Sequence, residues 1–392
     1  MRPRFRPVRP YDSFLWDAIV CLALFGAVMF PALQNAGQSP NGVVFPDLGS
    51  VPADLTVPQM TSAAPAPGRR VKQISPEYLG TEVYHSLYLP KDWRKGKRYP
   101  VIVEYAGNGP YRSEYGDVST GRVEDSKLGY GISGGKGFIW ICMPFVNSEA
   151  RRNQTLWWGD PEATAQYCKF TVRRVCEEYG GDPSRIILSG FSRGAIACNY
   201  IGLHDEAIAD IWLAFIAYSH YDGVLQWDWE GSDRPSALER LKRLQGRASF
   251  VCQERSVDDI RTYIDLSGIA APFSFLAVPF RNHNDAWVLR DIPARRALRS
   301  WLGEVLKTRP GTHSIRGRVM AANGRSLLRV RIESGYSHFT YTDRKGRFIL
   351  SGLIDSRRSV TASQNGRLFI PRAATVEIRG EDVDGVTFTA SR

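Results

Sequence analysis

Cysteine is scarce, with six in 392 residues and none in a CxxC or Cys/His spacing. That excludes a disulfide framework and leaves no visible zinc site. Cys142, Cys168, Cys176, Cys198 and Cys252 fall inside apolar strand or helix patterns, where cysteine acts as a small buried hydrophobe. A single disulfide is compatible with this pattern; a framework is not. The chain also lacks a dense basic patch. Its net charge is +11, but beyond the N-terminal arginines and short Arg pairs the cations are spread out, so no nucleic-acid partner is read. Nor is there a phosphate loop: in Gly131–Gly137 a tyrosine precedes the run, Gly137 replaces the Ser/Thr, and a strand pattern follows. Apolar content of 43% with 23% charged residues excludes wholesale disorder.

The N-terminus reads as separate from the fold. Arg2, Arg4, Arg6 and Arg9 precede the apolar run Ala18–Phe30, which is too short to span a bilayer comfortably and is bounded by Asp17. A basic leader with a short apolar core reads as an export signal or, since no clean small-x-small cleavage site follows, an uncleaved membrane anchor over residues 1–33. Residues 34–70 are rich in Pro, Ser, Ala and Gly and read as a linker.

Residues 71–308 alternate strands with helices. Strands are predicted at 83–89, 100–106, 137–144, 185–189, 211–217, 248–253 and 273–280. Helices are predicted at 162–179, 193–203, 237–244, 257–266 and 292–306. The first helix opens at Asp160-Pro161, an N-cap followed by a first-turn proline. This alternation predicts an α/β fold with a doubly wound, mostly parallel sheet and functional residues beyond the carboxyl ends of its strands. From 312 to 392 the period falls to two, with turn signals at Asn323-Gly324, Asp343–Gly346, Asn365-Gly366 and Asp384-Gly385. Six or seven short strands there predict a smaller all-β sandwich. Its GRV…NG…V opening and YTDRKGRFILSGL centre resemble the carboxypeptidase regulatory-like sandwich.

The chemistry centres on Gly190-Phe-Ser-Arg-Gly194, a G-x-S-x-G motif between an apolar strand and a helical pattern. In such a turn the serine, here Ser192, stands on a strained backbone with its Oγ exposed, and the next N–H, that of Arg193, faces the attacked carbonyl. A base must follow. His283 lies after a late strand and before the last helix, giving the order Ser, acid, His. His220, after an earlier strand, is a site-wall candidate or a structural histidine. For the acid, Asp258 is favoured in the loop after 248–253; Asp259, Glu254 and Asp222 remain alternatives. Carboxylates at a helix start such as Asp258 and Asp259 also complement the helix dipole without any catalysis. A second oxyanion donor is expected from the loop after strand 100–106, at Asn108 or Gly107. Trp157 and Trp158, on a long loop, would either stack on a sugar or aryl group or plug the sheet edge.

Val71–Lys307 therefore resembles an α/β-hydrolase, closest to secreted esterases of the polyhydroxybutyrate-depolymerase and feruloyl-esterase type. The residues that carry the likeness are GFSRGA at 190–195, His283 with Asp285 and Trp287, and the AGNG loop at 106–109. It departs from that pattern in lacking a histidine before the oxyanion loop and a glycine-spaced aspartate in the acid loop. The resemblance implies a serine esterase needing no cofactor, exported to the periplasm or exterior, with an ester substrate carried on a polysaccharide or aryl group. A peptidase of the same fold, or an inactive surface-binding module, are the rival readings.

Overall fold

The computed structural model describes residues 44–308, 313–335, 338–353 and 356–391. The leader, the first part of the linker and the Pro310-Gly311 boundary lie outside these residues. In the α/β region the strands are β1 (Met60–Thr61), β2 (Arg70–Gln73), β3 (His85–Tyr88), β4 (Tyr99–Tyr105), β5 (Tyr111–Arg112), β6 (Val118–Ser119), β7 (Ile139–Met143), β8 (Phe145–Val146), β9 (Asn153–Gln154), β10 (Gly181–Phe191), β11 (Ala214–Tyr218), β12 (Ala248–Glu254) and β13 (Phe273–Val278). Nine of them form one sheet in the order β1-β2-β3-β7-β4-β10-β11-β12-β13. Only β3 runs antiparallel to its neighbours. β5 pairs with β6, and β8 with β9, as small hairpins outside that sheet.

The central strands are apolar almost throughout because both faces are covered. β7 and β11 are buried at every position. The helices are α1 (Leu128–Ser133), α2 (Pro161–Glu178), α3 (Arg193–Tyr200), α4 (Glu206–Ala209), α5 (Arg234–Leu241), α6 (Asp258–Ser267) and α7 (Pro293–Lys307). α2 begins where the sequence places it: Asp160 accepts from the Ala163 N–H at 2.9 Å and Pro161 occupies the first turn. α1 was not legible, being short and glycine-bearing. It starts there because Glu104, buried in β4, accepts the N–H groups of Leu128 and Gly129 at 3.2 and 2.9 Å. Burial pushes the Glu104 carboxyl up to about 7.

The Pro-rich stretch departs from the linker reading. From Phe45 onward it lies along the α/β region: Leu48 is buried, Asp47 pairs with Arg281 at 2.9 Å, and Asp54 pairs with Arg295 at 2.7 Å. Without backbone periodicity, this strap is held by side chains from far along the chain.

The C-terminal region is two four-stranded sheets. One is ordered β17 (Arg347–Leu353), β14 (His313–Ala321), β21 (Val383–Ser391), β19 (Leu368–Ile370). The other is ordered β16 (His338–Tyr341), β15 (Arg331–Ser334), β18 (Ser356–Ser363), β20 (Ala374–Ile378). All pairs are antiparallel except β14 with β21. Alternate residues such as Ile315, Val319, Ile332, Phe348 and Phe388 fill the space between.

Phe45–Arg392 is one compact unit, and ion pairs join the two regions. Arg331 reaches Glu177 at 2.6 Å, and Arg173 reaches Glu333 at 2.8 Å. Asp210 accepts from the buried Arg358 at 3.0 Å and lies 3.6 Å from the buried Arg247. Asp210→Ala leaves both guanidiniums without their carboxylate, so urea unfolding is expected to show a loss of about 3–5 kcal/mol. An unchanged midpoint would show that the junction contributes nothing.

Candidate active site

Ser192 sits between β10 and α3 with φ 54° and ψ −115°. A non-glycine residue holds that backbone only when its surroundings enforce it. The Ser192 N–H donates to Tyr218 O at 2.9 Å, fastening the turn to the end of β11. The flanking glycines are steric necessities. A Cβ on Gly190 would lie 1.9 Å from Gly194 O, and one on Gly194 would lie 1.9 Å from Tyr105 O.

His283 places Nε2 3.0 Å from Ser192 Oγ, and its Nδ1 lies 2.8 Å from Glu254 Oε1. With Nδ1–H donated to the carboxylate, Nε2 is left free to accept the serine proton. Burial opposes ionisation of Glu254, but the charge and hydrogen bond of His283, with the Ser219 hydroxyl, outweigh it and hold the carboxyl at about 2. Glu254 is thus the acid of the relay. It is the last residue of β12, where the strand hands its side chain directly to the site. Asp258 does not fill that role: four residues on, it is exposed at the start of α6 and accepts from Ser256 Oγ at 2.7 Å. Asp259 is likewise exposed. Asp222 is buried but bidentate to Arg240, at 2.8 and 3.0 Å.

Two residues the sequence did not single out hold the histidine. Ser219, fully buried with φ 67°, donates its hydroxyl to Glu254 Oε1 at 2.8 Å and lies 2.7 Å from His283 Nδ1. It adjoins His220, so the post-strand position was the available signal. Asp117, buried in the β5–β6 loop, accepts the His283 N–H at 3.1 Å and both the Asn282 and Asn284 amides at 3.0 Å. Nothing in the local pattern marks it. The strap closes the other side, where the Leu48 N–H donates to Asn282 Oδ1 at 2.6 Å.

Arg193, the first residue of α3, has a backbone N–H that the helix cannot satisfy. Its side chain is buried against carbonyls, donating to Trp157 O at 2.6 Å and Gly107 O at 3.0 Å, with the guanidinium 3.9 Å from the Phe145 ring centroid. Burial drags its pKa down to about 9. One residue therefore supplies an N–H beside the serine and pins the facing loop. Asn108 lies in that loop, where its Oδ1 accepts the Trp157 N–H at 2.8 Å.

Trp158 is not a substrate contact. It is 4% exposed and packs on Phe145, Tyr200 and Trp229, so it plugs the core. Trp157 is half-buried and meets Trp229 at 4.5 Å and Trp227 at 5.3 Å. From Trp227 the aromatic line continues through His220, 5.7 Å away, to His283, a further 5.5 Å. Tyr111 stands edge-on to His283 at 5.4 Å, on the rim of a cavity of about 640 Å³ that Arg112, Arg122, Ser119 and Thr155 also line. Among the described residues, no group of His, Cys, Asp or Glu side chains is placed to hold a metal ion, and no helix is long and apolar enough to cross a membrane.

A serine on a strained strand-to-helix turn, an acid and a histidine after later strands, and this strand order together define an α/β-hydrolase fold. No protein-family model matches the sequence, and no curated protein does. Among solved structures, the chain is similar to an esterase from the fungus Rhizomucor miehei at 11% identity, covering 62% of this chain and 84% of that one, with a TM-score of 0.41. A ferulic acid esterase matches at 16% identity over 60% of this chain and 96% of its own, TM-score 0.38. Dipeptidyl peptidase 4 of Porphyromonas gingivalis matches at 15% over 61% of this chain but only 36% of its own, TM-score 0.41. Likeness of this degree does not bear on the chemistry, which rests on the distances above.

The Glu254 shift has a consequence for stability. Its folded pKa of about 2 lies below the ordinary 4.5, so the unfolded chain binds the proton first as pH falls. The contribution is full above pH ~4.5 and is lost as pH falls through ~2, amounting to about 3 kcal/mol. Between pH 6 and pH 3 the stability gap between wild type and Glu254→Gln should narrow by about 2 kcal/mol in urea titrations. A constant gap would contradict the pairing.

Proposed function

We propose that the protein is an exported serine esterase that hydrolyses carboxylic esters on polysaccharide or aryl substrates. The observation that carries this reading is the continuous relay Ser192 Oγ, His283 Nε2, His283 Nδ1, Glu254 Oε1, at 3.0 and 2.8 Å.

Ser192 Oγ attacks the ester carbonyl as its proton passes to His283 Nε2. Glu254 stabilises the resulting imidazolium and, with Ser219, fixes the ring. The oxyanion is received by the N–H of Arg193 and by an N–H of the opposite loop, at Asn108 or Gly107. His283 then gives its proton to the departing alkoxide, leaving an acyl-serine. A water attacks that acyl group, with His283 again taking a proton and returning it to Ser192.

Support for the substrate class comes from the surroundings of His283. The half-buried Trp157, Trp227 and Trp229 offer faces for a sugar ring or aryl group. Arg112 and Arg122, exposed on the neighbouring cavity, favour a substrate bearing negative charge. Support for export comes from the basic leader and short apolar run alone, and membrane anchoring rests on the same residues. The intact relay weighs against an inactive binding module.

Kinetics on an activated acetyl ester test the reading. Ser192→Ala should abolish the acyl burst, and Glu254→Gln should lower kcat by ~10⁴-fold. Asp258→Asn should leave both unchanged. Equal slow release by wild type and Ser192→Ala would refute the esterase assignment.

A further inference from the structure

The β-sandwich carries more than its share of charge. Residues 313–392 hold fourteen Lys and Arg against seven Asp and Glu, so one-fifth of the chain supplies most of the net +11. A cationic surplus alone is an ordinary solvated surface. Here four of the fourteen, Arg329, Arg331, Arg367 and Arg372, line one cavity of about 660 Å³ where the chain leaves β18 and crosses to β19.

Arg331 on this cavity is already committed, at 2.6 Å to Glu177 and 2.8 Å to Glu333. Arg329, Arg367 and Arg372 line the same recess, are exposed, and make no ion pair among the described residues. Three unpaired guanidiniums around one concavity repel one another, and an anion among them relieves that repulsion. The recess is tied together by a hydrogen bond: Gln364, on its lining, donates to Leu328 O at 3.0 Å, joining the crossing loop to the segment that carries Arg329. Tyr341 and Leu368, 52% and 64% exposed, add apolar faces, and the exposed Asn365 adds an amide.

We propose that this cleft binds a polyanionic polysaccharide. Guanidiniums take the carboxylate or sulfate groups bidentately, the amide meets hydroxyls, and Tyr341 and Leu368 cover the C–H faces of the sugar rings. A nucleic-acid strand is the poorer fit, because single-strand sites stack successive bases on several aromatic rings, and of the two rings lining this recess only Tyr341 is exposed while Phe369 is buried. The sandwich is joined to α2 by the pairs Arg331–Glu177 and Arg173–Glu333, so polymer held here raises the local concentration of chain segments presented to Ser192. That last step rests on the esterase reading; the binding itself does not.

The test is affinity electrophoresis of the full chain carrying Ser192→Ala, in gels containing polygalacturonate, dextran sulfate or neutral dextran. Retardation by at least one polyanion and none by neutral dextran is expected, and the two polyanions distinguish carboxylate from sulfate recognition. Arg367→Glu with Arg372→Glu should weaken it at least tenfold, while Arg344→Glu with Lys345→Glu, the same charge change on an exposed turn elsewhere in the sandwich, should weaken it far less. In the wild-type background, the cleft variant should hydrolyse a small acetyl ester at the unaltered rate. No retardation, equal weakening by the two double variants, or tighter binding to single-stranded DNA or phosphatidylserine vesicles would overturn the proposal. Retardation as expected together with absent wild-type ester hydrolysis would sink the esterase reading and leave the cleft standing.

Discussion

The site depends on the orientation of one imidazole. His283 can act on Ser192 only if its ring is turned so that Nδ1 meets Glu254, and 2.8 Å separates them. Three neighbouring features serve that orientation. Ser219 closes a triangle with Nδ1 and the carboxylate, Asp117 takes the backbone N–H and both flanking asparagines, and the strap from Leu48 caps Asn282. The parallel sheet sets the spacing of the three groups, since Ser192, Ser219 and Glu254 stand at the ends of the adjacent strands β10, β11 and β12. Hydrogen bonds link those strand ends, from the Ser192 N–H to Tyr218 O and from the Ser219 N–H to Cys252 O.

The same geometry explains what the sequence could and could not disclose. Ser192 was legible because its turn is local: a strand, two glycines that no Cβ could replace, and a helix, all contiguous between residues 181 and 200. His283 was legible by its place after a late strand. The acid was not, because Glu254 and Asp258 flank the same short β12–α6 turn, and the sequence does not show how far the chain turns between them. Arg255, at φ 66°, begins that turn, so Asp258 ends on the surface. Trp158 looked like its neighbour Trp157 in sequence, yet one fills the core and the other shows a face to Trp227 and Trp229. The strap reads as linker in sequence because its order comes from Asn282, Arg281 and Arg295, more than two hundred residues away.

Arg193 ties the serine turn to the Gly107 loop through one side chain. Its guanidinium has carbonyls and an aromatic face around it rather than a carboxylate. That arrangement is costly to build and fixes the Gly107 loop relative to Ser192 without placing a carboxylate beside the guanidinium. The sandwich is equally integrated, its two arginine–glutamate pairs and the Asp210 junction making it part of the same compact unit as the nine-stranded sheet.

Covalent capture tests the central claim most directly. Intact-mass and peptide mass spectrometry after treatment with a fluorophosphonate should show one adduct, on Ser192, formed rapidly at neutral pH. Labelling that is absent, or spread over other serines at a comparable rate, would contradict an activated Ser192 held by His283 and Glu254.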